Sequence, residues 1–303
     1  MISGLAASPA AGGEAATRRP VGPPADELKA RLGPGAIVAL ALTAGLLLAA
    51  VAGSQTADLA AARAGPERKG ACLAPDRVAA AKRYAERRSG RISFAVRDEC
   101  GRLAGSHRFR VHNSASVVKV MMMVGYLNLP DVRDRGLRKS ERKLLGPLIK
   151  ESSNDSANRL YEILGERRIE DVARRANMRH FETMPLWGLS EITAGDQASF
   201  VQRLERYLPA RHADYALGLM ARVVDRQRWG MPRVKPQGWK IRLKGGWSGK
   251  TSSEGWRVNQ VARLENGDRR FSVAILTRFD PSFEYGRHTI QGVARRLFAD
   301  VAG

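Results

Sequence analysis

The chain is predicted to be an α+β protein of the α/β sandwich type, in which one antiparallel sheet is formed from both ends of an outer domain around an inserted all-helical lobe. Three observations predict this. Apolar residues alternate over residues 91–96 and 103–109, on either side of a glycine turn at Gly101. Strand-like stretches return over 239–245, 256–264 and 271–277, with Asn266-Gly267-Asp268 as a hairpin turn between the last two. Between the two groups the apolar spacing is helical, and strands at both ends pair into one sheet when the middle folds as a separate lobe.

The elements follow in order. Residues 1–34 are rich in Ala, Gly and Pro and poor in large apolar side chains, so they cannot bury enough surface to offset the entropy of ordering and are expected to form a disordered cytoplasmic tail. Residues 35–53 carry no charge and, as a helix, would span about 28 Å, the thickness of a bilayer core. They are expected to be a transmembrane anchor. Arg18, Arg19, Lys29 and Arg31 precede it, which keeps the N-terminus cytoplasmic and places the rest outside. The competing reading is a signal segment cleaved after Ala50-Val51-Ala52, leaving a secreted protein. The long leading region favours the anchor. Residues 54–70 read as a polar linker, and 71–303 as the outer domain.

That domain opens with a helix over 75–89, the two strands, and a helix over 116–127 that is apolar almost all round, as in a helix buried at the centre of a domain. Helical spacing then covers 140–150, with a break at Gly146-Pro147, and continues over 156–164, 166–176, 193–207 and 213–225. Thr193 with Asp196 is an expected cap. An amphipathic helix over 289–301 closes the chain.

Composition narrows the partners. Lys and Arg number 51 against 30 Asp and Glu, a formal net charge of +21. The excess is mostly arginine spread along the chain without an aromatic-interleaved basic run, which argues against nucleic acid. Cys72 and Cys100 both follow the apolar segment and, in an oxidising compartment, are expected to pair, a cross-link worth roughly 3 kcal/mol in the chain-entropy picture. Two cysteines and the scattered His107, His112, His180, His212 and His288 do not make a metal site, and no cofactor is expected.

Three short motifs carry chemistry. Ser116 and Lys119 lie one turn apart on one helix face, where burial can lower the lysine pKa until its amine accepts the serine proton. In Ser152-Ser153-Asn154, residues two apart in an extended loop face the same way, so Ser152 can relay a proton and Asn154 can hold an amide or the lysine. Lys244-Gly245-Gly246-Trp247 ends a strand, where glycines admit a substrate backbone and the lysine supplies positive potential. Lys250-Thr251-Ser252 competes for this third role. The stretch from Gly245 to Thr251 is one residue short of a phosphate loop and lies between antiparallel strands.

In this order the motifs resemble the S-x-x-K, S-x-N and K-T-G set of class A β-lactamases and penicillin-binding proteins, over about residues 72–303. The resemblance implies a β-lactamase-like fold, Ser116 as acylated nucleophile and Lys119 as base. It further implies Ser152 and Asn154 in proton relay and substrate binding, Lys244 as electrostatic anchor, and Gly245, Gly246 and Trp247 as a substrate-binding edge. The amides of Ser116 and Trp247 would form the oxyanion hole. Substrates would be β-lactams or peptidoglycan peptides of the D-Ala-D-Ala type, and a monomer is expected.

The departures are as specific. Ser153 replaces the aspartate of S-D-N, and Gly245 with Trp247 replaces the hydroxyl residues that bind the substrate carboxylate. No E-x-x-L-N glutamate occurs in residues 181–194, where Glu182 and Glu191 are the carboxylates available as a deacylation base. Deacylation is therefore expected to be slow. The alternative is a catalytically degenerate protein that binds cell-wall peptide or a membrane partner in the same groove.

Overall fold

The structure is a computed structural model that describes residues 72–249, 255–299 and 301. The expected tail, anchor and linker, and the alternative motif Lys250-Thr251-Ser252, lie outside the described residues. Among the described residues no helix is long and apolar enough to cross a membrane.

Five strands, β1 (Arg91–Arg97), β2 (Leu103–Ser106), β5 (Lys240–Ser248), β6 (Arg257–Asn266) and β7 (Arg269–Arg278), form one antiparallel sheet in the order β2-β1-β7-β6-β5. The terminal strands thus meet as predicted. Both sheet faces are covered, so alternate side chains enter two different cores. From β1 and β7, Ile92, Phe94, Val96, Val273 and Ile275 pack with Ile290, Val293 and Leu297 of α8 (Phe283–Phe298). Ala95, Ala274 and Leu276 instead join the lobe core built on Val120, Met121, Met122 and Met123. The methionines are all fully buried, as core filler. Helix α1 (Pro75–Glu86) lies beside α8, and the Cys72–Cys100 disulfide ties its start to the turn after β1.

Several boundaries differ from the sequence reading. The helix expected from 116 begins as a single 3-10 turn, Ala115–Val118, and becomes α-helical only in α2 (Lys119–Leu127). A one-turn helix α3 (Pro130–Arg133) follows. Helix α4 (Lys139–Lys150) runs through Pro147, because the fully buried Leu145, Leu148 and Ile149 on its inner face outweigh one lost hydrogen bond. The stretches expected over 156–164 and 166–176 do form two helices, joined at Gly165, whose φ 60° and ψ 173° are non-helical; they share the label α5 (Asn154–Arg175). Helix α6 (Ala194–Gln202) is capped by Thr193 Oγ1, which accepts from the Asp196 amide at 3.2 Å, but ends before a 3-10 turn at Leu204–Tyr207. Helix α7 spans Ala210–Ala221. Helix α8 starts six residues early, because Ser282 Oγ accepts from the Tyr285 amide at 3.0 Å.

Strand β2 stops short of 109 where His107 turns with φ 47°. The hairpin at Gly267-Asp268 forms as expected, with Asn266 opposite Arg269. A small ribbon the sequence did not reveal pairs β3 (Val111–Asn113) with β4 (Glu191–Thr193) and fastens the loop after α5 next to Ser116.

Candidate active site

Ser116 sits on a strained turn. The preceding Ala115 has φ 45°, a conformation that costs an L-residue on the order of 1 kcal/mol and persists only where the surroundings hold it. The holders are visible. The Ser114 amide donates to Ser190 O at 2.8 Å, and Asn259 Nδ2, from fully buried Asn259 on β6, donates to Asn113 O at 2.9 Å and Ser114 O at 3.3 Å. Strand β5 is the sheet edge beside this turn, and Gly246 lies so close that an added Cβ would stand 2.6 Å from the Ser116 nitrogen. Only glycine fits there.

One helical turn on, Lys119 is fully buried. Its ammonium donates to Ser152 O at 2.7 Å and Asn154 Oδ1 at 2.9 Å, and lies 3.5 Å from Ser152 Oγ. Lys244, also fully buried, donates to Ser152 Oγ at 2.8 Å and to Gly245 O at 2.5 Å. Ser152 takes φ 62° to present both its carbonyl and its hydroxyl here. Every one of these partners is a neutral oxygen. Burial therefore lowers the Lys119 pKa to about 7, and burial followed by the Lys119 charge pushes Lys244 well below the usual lysine range. A buried lysine that is half deprotonated near neutrality is a competent general base, and the hydroxyl between two amines is a path for a proton. The Ser116 hydroxyl is half-buried, and among the described residues none hydrogen-bonds it, an arrangement common in sites without substrate.

The structure thus brings together Ser116, Lys119, Ser152, Asn154, Lys244 and Gly246. It separates others. Lys244 and Gly246 face the serine turn, whereas Gly245 and Trp247, one residue out of phase, face the opposite side of the sheet. A Cβ on Gly245 would meet the Trp229 ring at 2.7 Å, and the Trp247 ring packs 5.4 Å from Phe283 and 6.1 Å from Trp229. Of the expected substrate-binding edge Gly245, Gly246 and Trp247, Gly246 alone lies against the serine turn, and the Trp247 indole packs with Trp229 and Phe283 in the aromatic cluster under α8. Glu182 is exposed and pairs through its backbone with Glu191, which pairs in turn with Asn113. Neither carboxylate contacts Lys119 or Lys244.

Sequence reasoning missed Trp187, which the structure sets over Lys119 with its ring centroid 4.7 Å from Nζ. Its indole donates to Asn158 Oδ1 at 2.8 Å, on the same helix as Asn154. The one available signal was an aromatic residue in a glycine-flanked loop. Asn259 was missed too, since in a strand that mixes polar and apolar residues (RVNQVARLEN) nothing local marks this asparagine as reaching the Ser116 turn. His112 is as structural as expected, bonded to Ser93 Oγ at 2.8 Å and pushed down to about 3 by burial and then Arg110.

In known structures the same architecture recurs. A β-lactamase from Sphaerobacter thermophilus DSM 20745 is similar with a TM-score of 0.63 and 21% identity, covering 74% of this chain and 96% of that one. A class A β-lactamase from Mycobacterium abscessus gives 0.61 at 20% identity, with 73% and 98% covered. The TLA-3 extended-spectrum β-lactamase gives 0.65 at only 10% identity, with 75% and 99% covered. These likenesses concern the fold. No curated protein matches by sequence. The description "Beta-lactamase enzyme family" matches residues 130–301, more than half of the chain, and with that match the chain belongs to this family of serine hydrolases.

Proposed function

We propose that the protein is an extracytoplasmic serine hydrolase that forms an acyl-enzyme at Ser116 with β-lactam or D-Ala-D-Ala-type substrates and releases the acyl group slowly. The observation that carries this reading is the convergence of two buried lysines on the Ser152 hydroxyl beside the Ser116 turn, with neutral oxygens as their hydrogen-bond partners among the described residues. Neutral Lys119 accepts the Ser116 proton as its oxygen bonds to the carbonyl carbon. Ser152, hydrogen-bonded to Lys244, passes its proton to the leaving nitrogen as the amide bond breaks and takes one in turn from the Lys119 ammonium, which returns Lys119 to its neutral form. The Ser116 and Trp247 amides would hold the oxyanion, and the edge of β5 would pair with the substrate backbone. Slow release rests on the separation of Glu182 and Glu191 from Lys119. Export rests on the uncharged segment 35–53 behind basic residues and on the Cys72–Cys100 bond, which suits an oxidising compartment.

Intact-mass measurement after incubation with a panel of β-lactams and a D-Ala-D-Ala peptide tests it. A persistent adduct on wild type that vanishes in Ser116→Ala is expected. No adduct from any member of the panel, with no reaction with a generic serine probe, sinks the reading.

A further inference from the structure

We propose that Trp187 is a positioning residue that roofs Lys119 and excludes the water a Ser116 ester would need for hydrolysis. This inference rests on the acyl-enzyme reading above and names the side chain responsible for slow release. The turn that carries Trp187 (Trp187–Leu189) is fastened at several points. Its indole N–H is held by Asn158, and its carbonyl accepts from Ser114 Oγ at 3.4 Å. Upstream, Tyr161 Oη donates to Met184 O at 2.9 Å, and downstream Ser190 O accepts from the Ser114 amide at 2.8 Å. The loop is thereby tied both to α5 and to the nucleophile turn, and the ring is set over the amine.

Hydrolysis requires a water oxygen to bond to the acyl carbon while a base takes one of its protons, after which the bond to Ser116 Oγ breaks and that oxygen recovers a proton. Lys119 is the base within reach. It is met from β5 by Lys244, from the loop before α5 by Ser152, from the first turn of α5 by Asn154, and from the 187–189 turn by Trp187, so among the described residues Lys244 is the titratable group of this set that faces it. The indole opposes itself in one respect, since a ring over an ammonium favours the charged form by about 0.5–2 kcal/mol. The same ring covers the amine from the side of the 187–189 turn, and burial of that amine is the cause that lowers Lys119 to about 7. Opening the roof should therefore make Lys119 more basic and let water in.

The test compares wild type with Trp187→Phe, which keeps a ring but loses the bond to Asn158, and Trp187→Ala, which opens the site. Two readouts are taken: a lysine-selective carbon NMR titration of Lys119, assigned with Lys119→Arg and needing no substrate, and the lifetime of the Ser116 adduct by time-resolved mass measurement. In Trp187→Ala the titration midpoint should rise by about one pH unit and the adduct lifetime fall by about tenfold or more, with Trp187→Phe in between. If Trp187→Ala does not fold, Trp187→Phe and Asn158→Ala carry the same comparison with smaller shifts. An unchanged midpoint together with an unchanged lifetime overturns the inference while leaving Ser116 acylation standing. Failure of wild type to form any adduct removes the function reading and the water-exclusion half with it, and the titration still decides whether Trp187 dries Lys119.

Discussion

Lys119 and Lys244 approach the same hydroxyl, that of Ser152, at 3.5 and 2.8 Å, from a helix on one side and a sheet edge on the other. Like charges this close and this buried cannot both persist near neutrality without a counter-charge. Burial lowers the Lys119 pKa, burial followed by the Lys119 charge lowers that of Lys244, and these shifts set the pH dependence expected of the site.

If Lys119 is the base, as proposed, it acts only when neutral, and with its pKa lowered to about 7 acylation of Ser116 should rise with pH through about 7 and then level off. Replacing Lys119 with alanine should flatten the profile and lower the rate by about 10²–10⁴-fold. A stopped-flow series with a chromogenic β-lactam from pH 5 to 9, as ordinary buffers permit, measures both. A wild-type profile without a rise in that interval contradicts the assignment.

The neighbouring glycines of β5 should fail in different ways. In Gly246→Ala the new methyl would press on backbone, 2.6 Å from Ser116 N and 2.9 Å from Val117 N, displacing the proposed nucleophile and costing on the order of 10²-fold in acylation. In Gly245→Ala the methyl would meet the buried Trp229 ring at 2.7 Å on the other face, an overpacking cost of about 1–3 kcal/mol. Acylation rates and urea midpoints of the two variants should separate these effects, and equal losses in both would show that the two residues do not face opposite sides.

Asn259 also donates nothing to chemistry directly, yet it clamps the carbonyls of Asn113 and Ser114 while its Oδ1 accepts from Thr277 N at 3.1 Å. Asn259→Ala leaves these buried groups unpaired, a cost of about 1–3 kcal/mol, and frees the strained turn at Ala115. Acylation measured well below the unfolding temperature should fall by about tenfold or more, a loss that stability alone does not explain.

Asp280 gives a stability prediction of opposite sign to the usual carboxylate. It is fully buried, and it accepts from the Thr277 hydroxyl, while among the described residues its Oδ1 has no partner. Burial raises its pKa from 3.8 to about 6, against a smaller lowering by the Thr277 bond. A carboxyl with a raised native pKa binds its proton more tightly when folded, so stability is greatest below about pH 4, declines as pH rises to about 6, and stays reduced above that. Asp280→Asn should therefore be more stable than wild type at pH 8, by up to about 3 kcal/mol, and close to it at pH 4. Urea unfolding at the two pH values measures the difference, and a variant less stable at the higher pH refutes the account.

Much of this protein was legible as residue order. The period-2 strands at both ends, the all-apolar run around Met121 and the ordered motifs at Ser116, Ser152 and Lys244 are local patterns, and local patterns determined the sheet, the buried helix and the serine–lysine pair. The cap at Thr193 and the hairpin at Gly267 are legible for the same reason, since each depends on a few adjacent residues. What only the tertiary structure decided are the contacts between residues far apart in sequence: Asn259 beneath the Ser116 turn, Trp187 over Lys119, and the ribbon joining Val111 to Thr193. Even the side of the strand taken by Trp247 waited on the fold, because a one-residue change of phase moves a side chain from the groove to the opposite core, and which phase wins depends on the aromatic cluster of Trp229 and Phe283 that packs around it.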